Sequence, residues 1–366
     1  SGVLFLRSGP RSFEGALHFF DAESGEERLL LTADDLLGDG TMELSAAEAA
    51  RRERMRVSAR GIASFRLSPD GARILVPLAG RLFLVERTRV GEEGAIRELE
   101  SDAGGVIDPR FSPDGSHVAA VRDGDLYVID VATGAEERLT TRPSEEVQNG
   151  LAEFVAQEEM GRMRGFWWSP DGASLAYQQT DTTGVERLHI LDPAHPEREP
   201  QRWPYPRAGR TNAAVRLGIV PIAGGETTWV RWDRDRFPYL ASVRWPAGGP
   251  LTILVQDRLQ ETQALLAVDP ATGATRELLR EEDEAWLNLD QSTPRWLADG
   301  ARFLWSTERE GRWQLELRAA DGERVRALTE PDFGYRSLVA VDEARERLWV
   351  RASAEPTETH VFTVPL

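Results

Sequence analysis

Cysteine is absent from the 366 residues, which removes disulfide frameworks, thiol nucleophiles and Cys-ligated zinc together and leaves the redox compartment unreadable. Lysine is absent as well, and the five histidines (His18, His117, His189, His195, His360) never fall in an H-x-x-x-H spacing, so a histidine metal site is not expected. No apolar run approaches the ~18 residues that a membrane-spanning helix needs. A G-x-S-x-G elbow is missing, which leaves no serine nucleophile, and no glycine-rich loop opens a helix to hold phosphate. Positive charge is scarce: the formal charge is −17, and no arginine run is long enough to make a basic face. Nucleic-acid binding is therefore excluded, and cationic ligands are favoured. The opening SGVLFLRSGP carries neither Met nor a charged-then-apolar leader and reads as an excerpt, with any targeting segment outside it.

What the chain does contain is an apolar and aromatic supply large enough for a folded protein: 41% hydrophobic residues and 11 Trp. Its length exceeds an ordinary single-core domain, so either two domains or a repeat array is expected. Repeats are present. SPDG occurs at Ser68–Gly71, Ser112–Gly115 and Ser169–Gly172, each followed by an apolar strand, with degenerate copies at WPAGG from Trp245 and LADG from Leu297. Pro presets φ, Asp binds the local backbone and Gly accepts positive φ, so each copy is a turn, and its serine is a turn residue rather than a nucleophile. About one strand later an alternating run ends in an Asp-initiated turn, as in LYVIDVATGAEE and LLAVDPATGATRE. Four short strands per ~40 to 50 residues is the period of a β-propeller blade. The expected fold is all-β, an eight-bladed β-propeller forming a single domain over 1–366, with blades near 1–31, 64–100, 107–142, 166–200, 213–232, 239–281, 292–330 and 336–366.

Two insertions interrupt the repeats and are expected to be short helices, about 45–58 and 150–164. In the first, Ser45 followed by Glu48 is a capping-box pattern ahead of an Ala/Glu/Arg run. The second, QNGLAEFVAQEEMGRMRG, sets Leu151, Phe154 and Val155 on one helical face with Glu158 and Glu159 beyond it. An acidic doublet on a connector is ordinarily a solvated face. Here it follows an apolar lead-in and precedes FWW, so it would be held. Two carboxylates about 4 Å apart repel unless a cation lies between them. A primary ammonium has three donors to offer such a pair. Asp34, Asp35 and Asp39 resemble a calcium loop in composition but lack its spacing, so no metal is expected, and no cofactor either. WPYPRAGR (203–210) reads as an extended segment packing its aromatics. Trp286, Asn288 and Asp290, in the acidic stretch EEDEAWLNLDQ, are candidates to line a cavity.

NGLAEFVAQEEMGRMRGFWWSPDGASLAY, followed by RWPYPRAGRTNAAVRLGIV and TTWV, resembles the N-terminal propeller of the dipeptidyl peptidase IV family, bacterial branch, of prolyl-oligopeptidase-type serine peptidases. The likeness extends over essentially the whole chain, and the Glu-Glu segment with its downstream WW and YPRAG is its specific part. It implies a propeller that caps a C-terminal α/β-hydrolase domain, absent from this chain together with the catalytic triad, so that no catalytic residue is assigned here. It implies that Glu158 and Glu159 bind the free α-ammonium of a peptide N-terminus, and that the whole enzyme releases Xaa-Pro or Xaa-Ala dipeptides. A periplasmic or cytoplasmic bacterial location would follow.

Animal relatives carry a substrate-contacting arginine on a long hairpin where this chain has only VPLAGRLFLVE, so Arg81 is not given that role. Their dimerisation arm would fall near Ile222 to Thr228, where only IAGGETT stands, which leaves the 45–58 helix as the surface for a homodimer. The competing reading is a stand-alone protein-binding propeller of the periplasmic Tol-system type. A third is a relative that kept the propeller and lost the serine.

Overall fold

The computed structural model describes residues 2–38, 46–58, 60–92 and 94–366. The chain divides into two compact units, 1–150 and 151–366. Ser45 and Asp39 lie outside the described residues, so the capping box and the third acid of the suspected calcium loop have no structural counterpart to report.

In the first unit β1 (Gly2–Ser8), β2 (Glu14–Asp21) and β3 (Glu27–Leu31) form an antiparallel meander, with β4 (Arg60–Gly61) alongside β2 in parallel. Between β3 and β4 come α1 (Ala33–Leu37) and α2 (Ala46–Arg54), which falls inside the expected 45–58 insertion. Asp35 is spent on capping α1: its carboxylate accepts the Thr32 N–H at 2.7 Å, and Thr32 Oγ1 accepts the Asp35 N–H at 3.2 Å.

Two four-stranded meanders follow, β5 (Arg66–Leu67) to β8 (Ile96–Glu98) through β6 (Arg73–Leu78) and β7 (Arg81–Glu86), and β9 (Val106–Phe111) to β12 (Glu136–Arg138) through β10 (His117–Arg122) and β11 (Asp125–Asp130). The β6–β7 hairpin closes on Ala79 and Gly80, both at positive φ. Arg81, just after it, donates from Nε to Glu98 at 2.7 Å and lies over the Phe83 ring, so its guanidinium serves the sheet. Leu17, Ile74, Val76 and Phe83 share one core between the first two sheets; Leu75, Leu84, Val118 and Ile129 share the next. The unit closes with β13 (Val147–Asn149), where the Asn149 N–H reaches Gly124 O at 2.7 Å.

The second unit begins with α3 (Phe154–Glu158), inside the second expected insertion. β14 (Phe166–Trp168), β15 (Ser174–Asp181), β18 (Ala214–Pro221) and β19 (Thr228–Trp229) then make one sheet, while β16 (Arg187–Ile190) and β17 (Gln201–Pro204) pair only with each other. This corrects the blade boundaries expected at 166–200 and 213–232. β15 and β18 pair over their full length, from Ser174 opposite Pro221 to Asp181 opposite Ala214, so the two repeat units share a sheet and the stretch between them leaves it as a hairpin. The connection from β18 to β19, where a dimerisation arm would insert, is only 222–227.

Two further four-stranded meanders run from β20 (Tyr239–Arg244) through β21 (Leu251–Gln256) and β22 (Thr262–Val268) to β23 (Thr275–Glu282), and from β24 (Arg295–Trp296) through β25 (Arg302–Thr307) and β26 (Gln314–Ala319) to β27 (Arg324–Ala327). A three-stranded sheet, β28 (Tyr335–Asp342), β29 (Arg347–Ala352) and β30 (His360–Pro365), completes it. β21 is buried at every position, LTILVQ, as a central strand covered on both faces must be.

The SPDG turns form as their residues dictate. Ser169 Oγ accepts the Ser174 N–H at 2.9 Å and donates to Asp171 at 2.5 Å, whose carboxylate also takes the Ala173 N–H at 3.0 Å; Gly172 has φ 71°. The copies at Ser68 and Ser112 repeat this pattern. In the LADG copy Gly300 has φ 63°, and a Cβ there would stand 1.7 Å from the Gly248 carbonyl oxygen.

Candidate functional site

α3 is a single turn and a half, and its C-terminal end carries the acidic pair: Glu158 is its last residue and Glu159 its cap, with the Glu159 N–H on Val155 O at 2.9 Å. Both glutamates are exposed, and among the described residues neither side chain has a hydrogen bond or ion pair with the protein. Leu151, expected on the helix, precedes it and forms a β-bridge with Arg164. The face turned inward is Ala156, Gln157 and Met160, with Met160 joining the core of Leu254, Trp296 and Trp305. Phe154, at the other end, rests its ring 4.9 Å from that of Tyr205, which puts YPRAGR to the packing use its composition suggested.

Past Met160 the chain turns back sharply. Gly161 takes φ 63°, a left-handed conformation that glycine adopts freely, and the Arg162 N–H reaches Ala156 O at 2.8 Å. The Arg162 side chain, 4% exposed, goes under the helix and meets Glu153, 5% exposed, at 3.5 Å. Its Nη2 donates to Gln178 Oε1 at 2.6 Å and Leu240 O at 2.8 Å, and Nη1 to Arg164 O at 2.7 Å, while the buried Nε has no hydrogen-bond partner among the described residues. Gln178 Nε2 in turn donates to Glu153 at 2.5 Å. Burial pulls the Arg162 guanidinium below its ordinary range, and the Glu153 carboxylate opposes that pull. The neutral acceptors around Arg162 offset part of the cost of burying this ion pair, and the unpartnered Nε leaves part of it standing.

The other end of the hook is held from a distant loop. Gln291 donates from Nε2 to Met160 O at 2.7 Å and to Ala241 O at 3.0 Å, while its own carbonyl accepts from Arg244 at 2.5 Å. Its neighbour Asp290 pins that loop, accepting from Ser292 N–H at 2.8 Å, Ser306 Oγ at 2.6 Å and Tyr335 OH at 3.2 Å. Burial, then the Asp290 charge, holds the Tyr335 phenol above its ordinary range, so it stays a donor.

Of the three residues expected to line a cavity, Asp290 is thus engaged in the loop's own hydrogen bonds. Asn288 donates to Glu308 at 2.7 Å, and Trp286 is 52% exposed. Sequence reasoning missed Gln291, Glu153 and Arg162. A contact across 131 residues leaves no local signal, and charged residues are ordinarily assigned to the surface.

Exposed, unpartnered and mounted on a pinned backbone, Glu158 and Glu159 can accept donors from a cation without first surrendering protein contacts. The described residues contain no group of three acidic or histidine side chains suited to a metal, and no helix among them is long and apolar enough to cross a membrane.

Comparison with known proteins agrees with the resemblance read from the sequence. A family described as dipeptidyl peptidase IV (DPP IV) N-terminal region matches residues 63–366. The inactive dipeptidyl peptidase 10 of Rattus norvegicus is 25% identical over 230 residues, covering 58% of this chain and 29% of that protein. Dipeptidyl peptidase 4 of Arthroderma otae is 26% identical over 252 residues, covering 63% of this chain and 32% of that protein. The crystal structure of Porphyromonas gingivalis dipeptidyl peptidase 4 superposes with a TM-score of 0.77 at 22% identity, over 99% of this chain and 52% of the other. The chain therefore spans about a third of these curated relatives and about half of the solved one. The structural likeness bears on the fold, which is the β-propeller expected from the repeats.

Proposed function

Since the chain belongs to the dipeptidyl peptidase IV N-terminal-region family, we propose that it is the substrate-gating propeller of a dipeptidyl aminopeptidase and that Glu158 and Glu159 bind the α-ammonium of the peptide substrate. The observation that carries this reading is the exposed, unpartnered carboxylate pair at the end of a backbone hook tied down on both sides. An ammonium brings three donors, and charge-assisted bonds from two carboxylates satisfy most of them. A site of this kind measures substrate from its free end. An acetylated or internal amide has no charge to offer, and bringing it in would desolvate two carboxylates without compensation. Cleavage after the second residue, with Pro or Ala there, would be carried out by a C-terminal hydrolase domain contributed by the rest of a longer polypeptide, with residues 1–366 as its propeller domain.

The test is to assay the polypeptide containing both parts on an Ala-Pro amide and on its N-acetyl counterpart. Replacing Glu158 or Glu159 by Ala is expected to lower kcat/KM by about tenfold to a hundredfold each, the value of a charge-assisted hydrogen bond of roughly 1.5–3 kcal/mol. Unchanged kcat/KM in both variants would refute the amine role. The rat relative, named an inactive dipeptidyl peptidase, favours a second reading: amine recognition without cleavage. Binding of the Ala-Pro amide with no turnover would identify it. The stand-alone scaffold of the Tol type draws no support from the family match.

A further inference from the structure

We propose that Arg162 and Gln291 are positioning residues that preorganise the amine site, a role that rests on the reading of Glu158 and Glu159 given above. Binding sites usually hold their side chains by hydrogen bonds to neighbouring side chains. That device is missing here, because neither glutamate carboxylate has a hydrogen bond or ion pair with another described residue. Whatever order the pair has must come through the backbone beneath it.

That backbone is short and would be weak alone. A five-residue helix is far below the length that holds itself in water. Two side chains supply what the helix cannot. Gln291 grips the carbonyl of Met160, the residue directly after Glu159, and ties it to the Ala241 carbonyl on β20. Arg162 grips the return strand, linking Arg164 O, Gln178 on β15 and Leu240 O on β20, while its charge meets Glu153 just ahead of the helix. The hook is thereby fastened at its start, its end and its return. Among the described residues neither fastener is bonded to Glu158 or Glu159, so they act through the backbone on where the two carboxylates stand. Fixing the backbone in advance reduces the entropy that binding must overcome, and this gain appears only for ligands that use the pair.

The experiment measures binding of Ala-Pro amide and N-acetyl-Ala-Pro amide to the 366-residue chain by NMR titration, with thermal unfolding and amide exchange at 156–162 as companions. Gln291→Leu keeps the side-chain volume and removes the donor. It is expected to weaken free-amine binding about five- to tenfold, to speed exchange in the hook, and to leave the weak binding of the acetylated peptide unchanged. Arg162→Lys keeps the charge without the planar fork and is expected to behave as Gln291→Leu does, with no rescue. Should the unmodified chain bind both peptides equally, the amine reading itself fails. Should it discriminate between them while Gln291→Leu discriminates just as well, the amine reading stands and the positioning proposal falls. A loss of affinity for both peptides in equal measure would also overturn it, since that is the mark of a merely structural residue.

Discussion

Two acidic motifs in the second unit, the SPDG turn at Ser169–Gly172 and the hook that carries Glu158 and Glu159, handle negative charge in opposite ways. The Asp171 carboxylate is engaged by its own turn, one oxygen accepting both the Ser169 hydroxyl and the Ala173 N–H. The Glu158 and Glu159 carboxylates are left open, while the polar groups around them bond to backbone instead. An acid bonded to its own turn stabilises the fold. An acid held in place with its acceptors free is placed for binding. The distinction is one of partners, and it can be broken at either end.

The largest effect is expected where a turn has no room to give. Gly300→Ala in the LADG copy forces a left-handed alanine and sets its Cβ 1.7 Å from the Gly248 carbonyl oxygen. Neither backbone can move without shifting a strand, so urea unfolding should show a loss of about 3–5 kcal/mol. A loss under about 1 kcal/mol would mean that the repeat turns are less exacting than their geometry implies.

Next comes the buried pair beneath the hook. Glu153→Ala leaves the Arg162 guanidinium without its counter-charge in a buried place, with only neutral acceptors remaining. Breaking such a pair costs about 3 kcal/mol or more, and the same urea experiment reads it. Glu159→Gln sharpens the contrast, because the removed charge has no protein partner. Stability should stay within about 0.5 kcal/mol of the parent while free-amine binding weakens by roughly 1.5–3 kcal/mol. Ser169→Ala is the mirror image. It deprives Asp171 of a hydroxyl and strands the Ser174 N–H, costing about 1–2 kcal/mol of stability with no change in amine binding.

The same contrast governs what was legible in the sequence. SPDG turns could be read because every bond that makes them lies within six residues, and so could the position and exposure of Glu158 and Glu159. The blade boundaries between 166 and 232 could not, because pairing of β15 with β18 is a tertiary choice of register over a stretch that leaves the sheet and returns. Leu151 looked helical by periodicity, but its bridge to Arg164 begins the hook earlier than the apolar pattern indicated. Gln291 was invisible, since its neighbours Trp286, Asn288 and Asp290 drew attention by being aromatic or acidic while the working contact came from a neutral amide. Support for a site lies across the fold, where local sequence carries no mark of it.

The smallest expected effect is in pH dependence, and it concerns the turn acids. The Ser112 hydroxyl first, then the Ser116 N–H and hydroxyl, lower the Asp114 carboxyl from 3.8 to about 2. Asp70 and Asp171 are lowered in the same sense, each led by its turn serine. A folded-state pKa below the unfolded one means stability that is fully present above about pH 4 and is lost as pH falls toward 2. Asp114 is exposed, so solvent screening keeps the contribution small. Ser112→Ala removes the leading cause of the shift. The melting temperatures of parent and variant should therefore differ most above pH 4 and converge as pH approaches 2. Parallel curves across that window would show that the turn serine stabilises the backbone alone, and would remove the charge-consuming half of the comparison.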